Sequence, residues 1–202
     1  MVSDRRAFVI HLVLGGARSG KSSFAEQCIG DRQSSSKTKA VLYVATCQAF
    51  DEEMQARIDK HTQDRQQDTL KQNWYTVECP LNLAELICEL HTENLVLVDC
   101  LTLWLNNQIF ALDENATYQA KQQHLQQSID SLVSALANTK GDVVLVANEV
   151  GLGVVPMGQV SRLFVDYAGW LNQAIAKIAE RVTLVSAGLP LDLKNSLEKG
   201  KG

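Results

Sequence analysis

The sequence lacks a long hydrophobic run, an excess of basic charge and an ordered cysteine pattern. Each absence removes a class of protein. No stretch approaches the roughly 18 apolar residues that a membrane-spanning helix needs. The nearest candidate is "AFVIHLVLGGA", which follows Arg5 and Arg6 and superficially resembles a signal peptide. His11 interrupts that run, and the run feeds straight into a glycine-rich loop, so it reads as a buried strand. Lysine and arginine total 19 against 23 aspartates and glutamates, a formal net charge of −4. That balance argues against bulk nucleic-acid binding, which leaves a basic footprint. The five cysteines, Cys28, Cys47, Cys79, Cys88 and Cys100, are odd in number and form no C-x-x-C pair. Neither a metal site nor a disulfide framework follows from them. Scattered reduced thiols suit a cytoplasmic protein. The guanine-reading [NT]-K-x-D signature of regulatory GTPases is absent, and 202 residues are too few to include a helicase core. There is no internal repeat and no interdomain linker.

What is present is an ordinary globular composition, 46% hydrophobic and 21% charged. The length and pattern predict one domain over residues 1–202, with a core at about 7–190 and a polar C-terminal tail. Apolar runs predict strands at 7–16, 40–46, 74–79, 94–101, 142–151 and 183–188. Helices are expected at 21–31 (with Gly30 near the C-cap), 82–91, 116–139 and 161–182. The polar stretch 51–73 reads as an exposed helix running into a loop, and 191–202 as a frayed tail. Strands that are continuously apolar and alternate with helices predict an α/β fold. Its form is P-loop NTPase-like, a mostly parallel sheet with helices on both faces.

The chemistry starts at "LGGARSGKSS", residues 14–23. Gly15, Gly20, Lys21 and Ser22 satisfy G-x-x-x-x-G-K-[ST], and the motif lies between a predicted strand and a predicted helix. Residues Gly15, Gly16, Ala17, Arg18, Ser19, Gly20, Lys21 and Ser22 therefore form a candidate nucleotide cradle. Glycines let backbone N–H groups turn inward around an anion, and the helix that follows aims its positive end at the phosphates. Lys21 reaches the β- and γ-phosphates, and the Ser22 hydroxyl is a ligand for Mg²⁺. Asp99 and Glu149, at the carboxyl ends of predicted strands, are the candidate acidic partners of the metal or nucleotide. The loop alone leaves open a small-molecule kinase, a transferase and a regulatory nucleotide switch. His61, alone in a polar segment, reads by itself as a surface residue. His11, His91 and His124 have no motif around them. Trp74, Trp104 and Trp170 read as packing residues.

Five blocks narrow the choice. "GGARSGKS" (15–22), "LYVATCQAFDEEMQARIDKH" (42–61), "WYTVE" (74–78), "LVDCLTLWLNN" (97–107) and "VANEVGLGVVP" (146–156) occur in that order. With "RLFVDYAGWLNQAIA" (162–176), the chain resembles the bifunctional adenosylcobinamide kinase / adenosylcobinamide-phosphate guanylyltransferases of cobalamin biosynthesis. The resemblance implies two reactions. A nucleoside triphosphate, ATP or GTP, phosphorylates the aminopropanol hydroxyl of adenosylcobinamide. GTP then donates GMP to that phosphate through a guanylylated histidine. It further implies Mg²⁺, a homotrimer, and adenosylcobinamide and its phosphate as substrates, with no nucleic-acid partner and no membrane insertion. Position by position, His61 matches the nucleophile and Lys21 is catalytic. Thr46, Cys47, Gln48, Arg65, Glu78 and Asp99 match nucleotide-binding positions, and Ser22 with Asp99 the metal site. Lys60 stands where some relatives carry a second histidine. The stretch 66–73 is longer than the usual link to the tryptophan.

Overall fold

The computed structural model describes residues 9–35, 40–47, 73–91, 94–154 and 156–196. Seven strands pair into one sheet: β1 Ile10–Gly15, β2 Val41–Ala45, β3 Trp74–Glu78, β4 Leu95–Asp99, β5 Asp142–Asn148, β6 Arg181–Ser186 and β7 Leu189–Asn195. Their spatial order is β3-β2-β4-β5-β1-β6-β7. Every pairing is parallel except that of β6 with β7. The five described helices are α1 Lys21–Ser35, α2 Leu83–Cys88, α3 Leu101–Phe110, α4 Tyr118–Ala137 and α5 Gln159–Ile178.

Side-chain alternation sends each strand's residues into two separate cores. From β1, Leu12 and Leu14 enter the core shared with α2, α3, α4 and α5, with Leu83, Trp104, Leu132 and Leu171 among its members. Val13, on the opposite face, joins Ala25 and Ile29 of α1, with Leu97 and Val146 beneath them. Covering both faces requires strands that are apolar throughout, which is why β1 is buried at every position. Helices on both faces of a mostly parallel sheet match the expected α/β architecture. No helix among the described residues is long and apolar enough to cross a membrane.

Several boundaries differ from expectation. Helix α1 continues to Ser35, so Gly30 is an interior helical residue rather than a C-cap. A single glycine costs a helix only about 1 kcal/mol, and Ala25 and Ile29 on the buried face sustain it. Helix α2 is shorter than expected because its end tightens: Glu89 N donates to Leu86 O and Leu90 N to Ile87 O, both three residues back. Helix α3 was not foreseen. Its sequence, LTLWLNNQIF, is buried over most of its surface, so it shows no amphipathic period. The largest correction concerns the C-terminal tail, whose residues 189–195 form strand β7 rather than a frayed end. Asp192 explains the docking. It bridges Arg181 at 2.9 Å and accepts from Thr183 Oγ1 at 2.8 Å, both on β6.

The same network reaches His11. Its Nε2 lies 2.9 Å from Thr183 Oγ1, and the residue is fully buried. Burial, assisted by the Arg181 charge, lowers the imidazole from 6.5 to about 4. The folded state therefore refuses a proton that the unfolded chain accepts between those values. Stability is fully present above pH 6.5 and is lost as pH falls through that window, by up to roughly 3 kcal/mol. Denaturant titrations at pH 7, 5.5 and 4.5 should show this loss, and His11→Gln should flatten it. Equal slopes in the two proteins would contradict the assignment.

Candidate active site

The phosphate loop is shaped by two left-handed residues. Arg18 has φ 56° and Gly20 φ 92°, the left-handed backbone from which anion-binding nests are built. Gly15 ends β1 where no side chain fits. A Cβ there would sit 2.6 Å from Val185 O and closer still to Ser19 Oγ. Gly20 is crowded in turn by Gly188 Cα, 3.2 Å from its would-be Cβ. Gly188 lies in the β6–β7 turn, and its N–H donates to Ser19 O at 2.8 Å. The hairpin thus braces the loop from behind. Helix α1 begins at Lys21 and carries no acidic residue in its first turn, so its positive end faces the loop uncompensated. Lys21 Nζ donates back to Gly16 O at 3.1 Å, arched over the loop. Gly16, Ala17 and Arg18 are exposed, and Ser22 is half-buried at the start of the helix.

Asp99 ends β4, two strands from β1 with β5 between them, so about 10 Å separates the two strands, and Asp99 lies level with Val13, two residues before Gly15. Tyr43 Oη donates to Asp99 Oδ2 at 3.1 Å and orients the carboxylate. Burial pushes the neighbouring Cys100 thiol up to about 11, with the Asp99 charge adding to it and Lys21 pulling the other way. Lys21 and Asp99 therefore act on one electrostatic neighbourhood. Thr46 arrives as a brace: its hydroxyl donates to Cys100 O at 2.7 Å and accepts from Cys100 N at 2.8 Å. Asn107 Nδ2 donates to Thr46 O at 2.7 Å. These contacts tie the ends of β2 and β4 together. Cys47 follows, half-buried. Glu78 is exposed at the end of β3, level with Ala45 and hence with Asp99. Four strand spacings, about 19 Å, separate it from Gly15. The structure thus brings the phosphate loop and Asp99 together and sets Glu78 apart. Gln48, His61 and Arg65 lie outside the described residues.

Two neighbours of the loop matter more than their sequence suggested. Asn148 pairs with Gly15 in register, its N–H donates to Thr102 Oγ1 at 2.6 Å, and its Oδ1 is buried without a partner. Glu149 N donates to Gly15 O at 3.1 Å, while Glu149 Oε1 accepts from Gly151 N at 2.7 Å. The signal was available: a strand ending in Asn-Glu at the edge where the phosphate loop begins. As for the other histidines, His11 is a core residue, and His124 Nε2 lies 3.1 Å from Gln108 Oε1. Trp104 is buried with its Nε1 donating to Leu81 O, while Trp170 is half-exposed against Tyr167.

A buried strand, a nest-forming glycine loop, an uncompensated helix start and an acidic strand end define a P-loop nucleotide-binding α/β protein. The family model of cobinamide kinase / cobinamide phosphate guanyltransferase matches residues 11–193, and the chain belongs to that family. Its relatives include the bifunctional adenosylcobalamin biosynthesis protein CobP of Pseudomonas aeruginosa, 46% identical over 184 residues, covering 91% of this chain and 96% of that protein. The CobU proteins of Escherichia coli and Salmonella typhimurium, with the same bifunctional description, are 41% and 40% identical over 189 residues. Each comparison covers 91% of this chain and 98% of the relative. Among solved structures, the flagellar accessory protein FlaH of Methanocaldococcus jannaschii overlays with a TM-score of 0.44 at 12% identity, covering 93% of this chain and 78% of that one.

The packing around Gly15 yields a direct comparison. Gly15→Ala should lower stability by about 1–3 kcal/mol through overpacking and weaken nucleoside triphosphate binding at least tenfold. Gly16, whose would-be Cβ meets nothing within 4 Å, should tolerate alanine without loss of stability. Thermal unfolding and nucleotide titration of both variants check this. A Gly15→Ala protein as stable as the parent would refute the close approach.

Proposed function

We propose that the chain performs both reactions of its family on one ligand edge, with the phosphate loop as the triphosphate site and His61 as the covalent carrier. The observation that carries the reading is the phosphate loop braced by the hairpin, with Asp99 about two strands away. In the first reaction the aminopropanol hydroxyl of adenosylcobinamide attacks the γ-phosphorus of ATP or GTP. The O–P bond forms, the bond to the β-phosphate oxygen breaks, the nucleoside diphosphate leaves and the hydroxyl proton is released. The loop's N–H groups and Lys21 hold the negative charge that spreads over the phosphate oxygens. In the second reaction an imidazole nitrogen of His61 attacks the α-phosphorus of GTP and pyrophosphate leaves. A phosphate oxygen of adenosylcobinamide phosphate then displaces the imidazole, giving adenosylcobinamide-GDP. A neutral imidazole is a competent nucleophile near neutral pH.

Ser22 and Asp99 are the residues that would hold Mg²⁺. Their hydroxyl and carboxylate are the hard oxygen donors this ion takes. Bound there, Mg²⁺ supplies charge neutralisation at the phosphates. Gly15, Gly16, Ala17, Arg18, Ser19 and Gly20 line the cradle. Thr46, Cys47 and Glu78 extend the nucleotide site toward β2 and β3, and Gln48 and Arg65 join it on the strength of the family resemblance. The about 19 Å between Gly15 and Glu78 supports a shift of the nucleotide between the two reactions. A homotrimer and a cytoplasmic location accompany this reading on the strength of the family resemblance.

Incubation with adenosylcobinamide, GTP and Mg²⁺ should yield adenosylcobinamide-GDP and pyrophosphate. Lys21→Ala should slow the phosphorylation by at least 100-fold. Phosphorylation without GMP transfer would reduce the protein to a simple kinase. Tight GTP binding without turnover of either kind would favour a nucleotide-dependent switch.

A further inference from the structure

The loop that leaves β5 beside the phosphate loop carries its aliphatic side chains in water. Leu152 is 86% exposed, Val154 97% and Met157 94%, and Val160 at the start of α5 is exposed as well. Single exposed aliphatics are ordinary on any surface. Here three of them lie within six residues of one loop. The loop's polar groups are tied inward. Glu149 Oε1 takes the Gly151 N–H. Arg162 Nη1 donates to the backbone oxygens of Pro156 and Met157. Held in this way, the loop presents its apolar side chains outward from a fixed root. That root is the phosphate loop itself, through Glu149 N to Gly15 O. A chain reaches at most about 3.6 Å per residue, so the Leu152 Cα lies within about 11 Å of the Glu149 Cα.

We infer that Leu152, Val154 and Met157 form the seat for the corrin ring of cobinamide. The inference rests on the functional reading above and adds a location to it. The acceptor presents its hydroxyl at the end of a short arm, and the hydroxyl must meet the γ-phosphate in the cradle. The ring that bears the arm must therefore rest on a surface adjoining the cradle rather than inside it. A corrin ring is broad and methyl-studded, with amides only at its periphery, so it suits an open aliphatic platform more than a polar pocket. Adenosylcobinamide also carries a net positive charge from its cobalt centre, and the carboxylate of Glu149 stands at the root of the platform.

The test uses the full-length protein with Leu152→Ser, Val154→Ser and Met157→Ser combined. All three side chains are in water, so the variant keeps its core. Adenosylcobinamide binding is measured by calorimetry with the nucleotide site filled by a non-hydrolysable triphosphate. Nucleotide affinity, thermal stability and sedimentation are measured in parallel. The expected result is adenosylcobinamide affinity weakened by about tenfold or more, with nucleotide affinity, stability and oligomeric state unchanged. Unchanged adenosylcobinamide affinity overturns the seat while leaving the function standing. Dissociation of an oligomer in the variant also overturns it, because the patch then covers a second copy of the chain. Failure of the parent protein to bind adenosylcobinamide at all instead defeats the functional reading on which the seat depends.

Discussion

The space behind Gly15 is the constraint on which the rest of the site depends. Val185 O and Ser19 Oγ occupy the position a side chain would take, so β1 can pack against β6 only with glycine at its end. That close approach lets the β6–β7 turn reach the loop, where Gly188 N donates to Ser19 O. Arg18 and Gly20 are thereby held in the left-handed backbone from which anion-binding nests are built. A hairpin at one edge of the sheet thus helps to build a binding site in its middle. The His11–Thr183–Asp192–Arg181 network keeps that hairpin in register.

Strand order then distributes the chemistry. β5 separates the phosphate loop from Asp99, and β2 and β3 carry the ligand edge outward to Glu78. Two strand spacings, about 10 Å, lie between the strands that carry the loop and the carboxylate. Tyr43 and Thr46 fix the Asp99 end of that gap: one hydroxyl donates to the carboxylate, the other ties the following residue to β2. A sheet edge with anchored groups at one end and open length toward the other suits a protein that handles both the γ- and the α-phosphorus of nucleotides.

Much of the fold was legible because buried parallel strands are written as unbroken apolar runs. β1, β2, β4 and β5 were all located within a few residues. Legibility failed where burial was uniform or where a tertiary contact decided the outcome. Helix α3 is buried on most sides and carries no period. Strand β7 looked polar because Asp192 and Lys194 find partners only after folding, in Arg181 and in the last carbonyls of α5. At the site, the glycine pattern located the loop and the apolar run ending in aspartate located Asp99. Asn148 was marked only by its place at the end of the apolar run of β5, and the hairpin brace carried no signal in sequence, since it arises from strand register.

The central claim is that one chain couples γ-phosphate transfer at its glycine loop to GMP transfer through His61. The most direct measurement is retention of radiolabel after denaturing the protein incubated with Mg²⁺ and GTP labelled at the α-phosphate, beside His61→Ala. The account predicts an acid-labile label on the parent and none on the variant. Label persisting on His61→Ala, or absent from a parent that binds GTP, would contradict it.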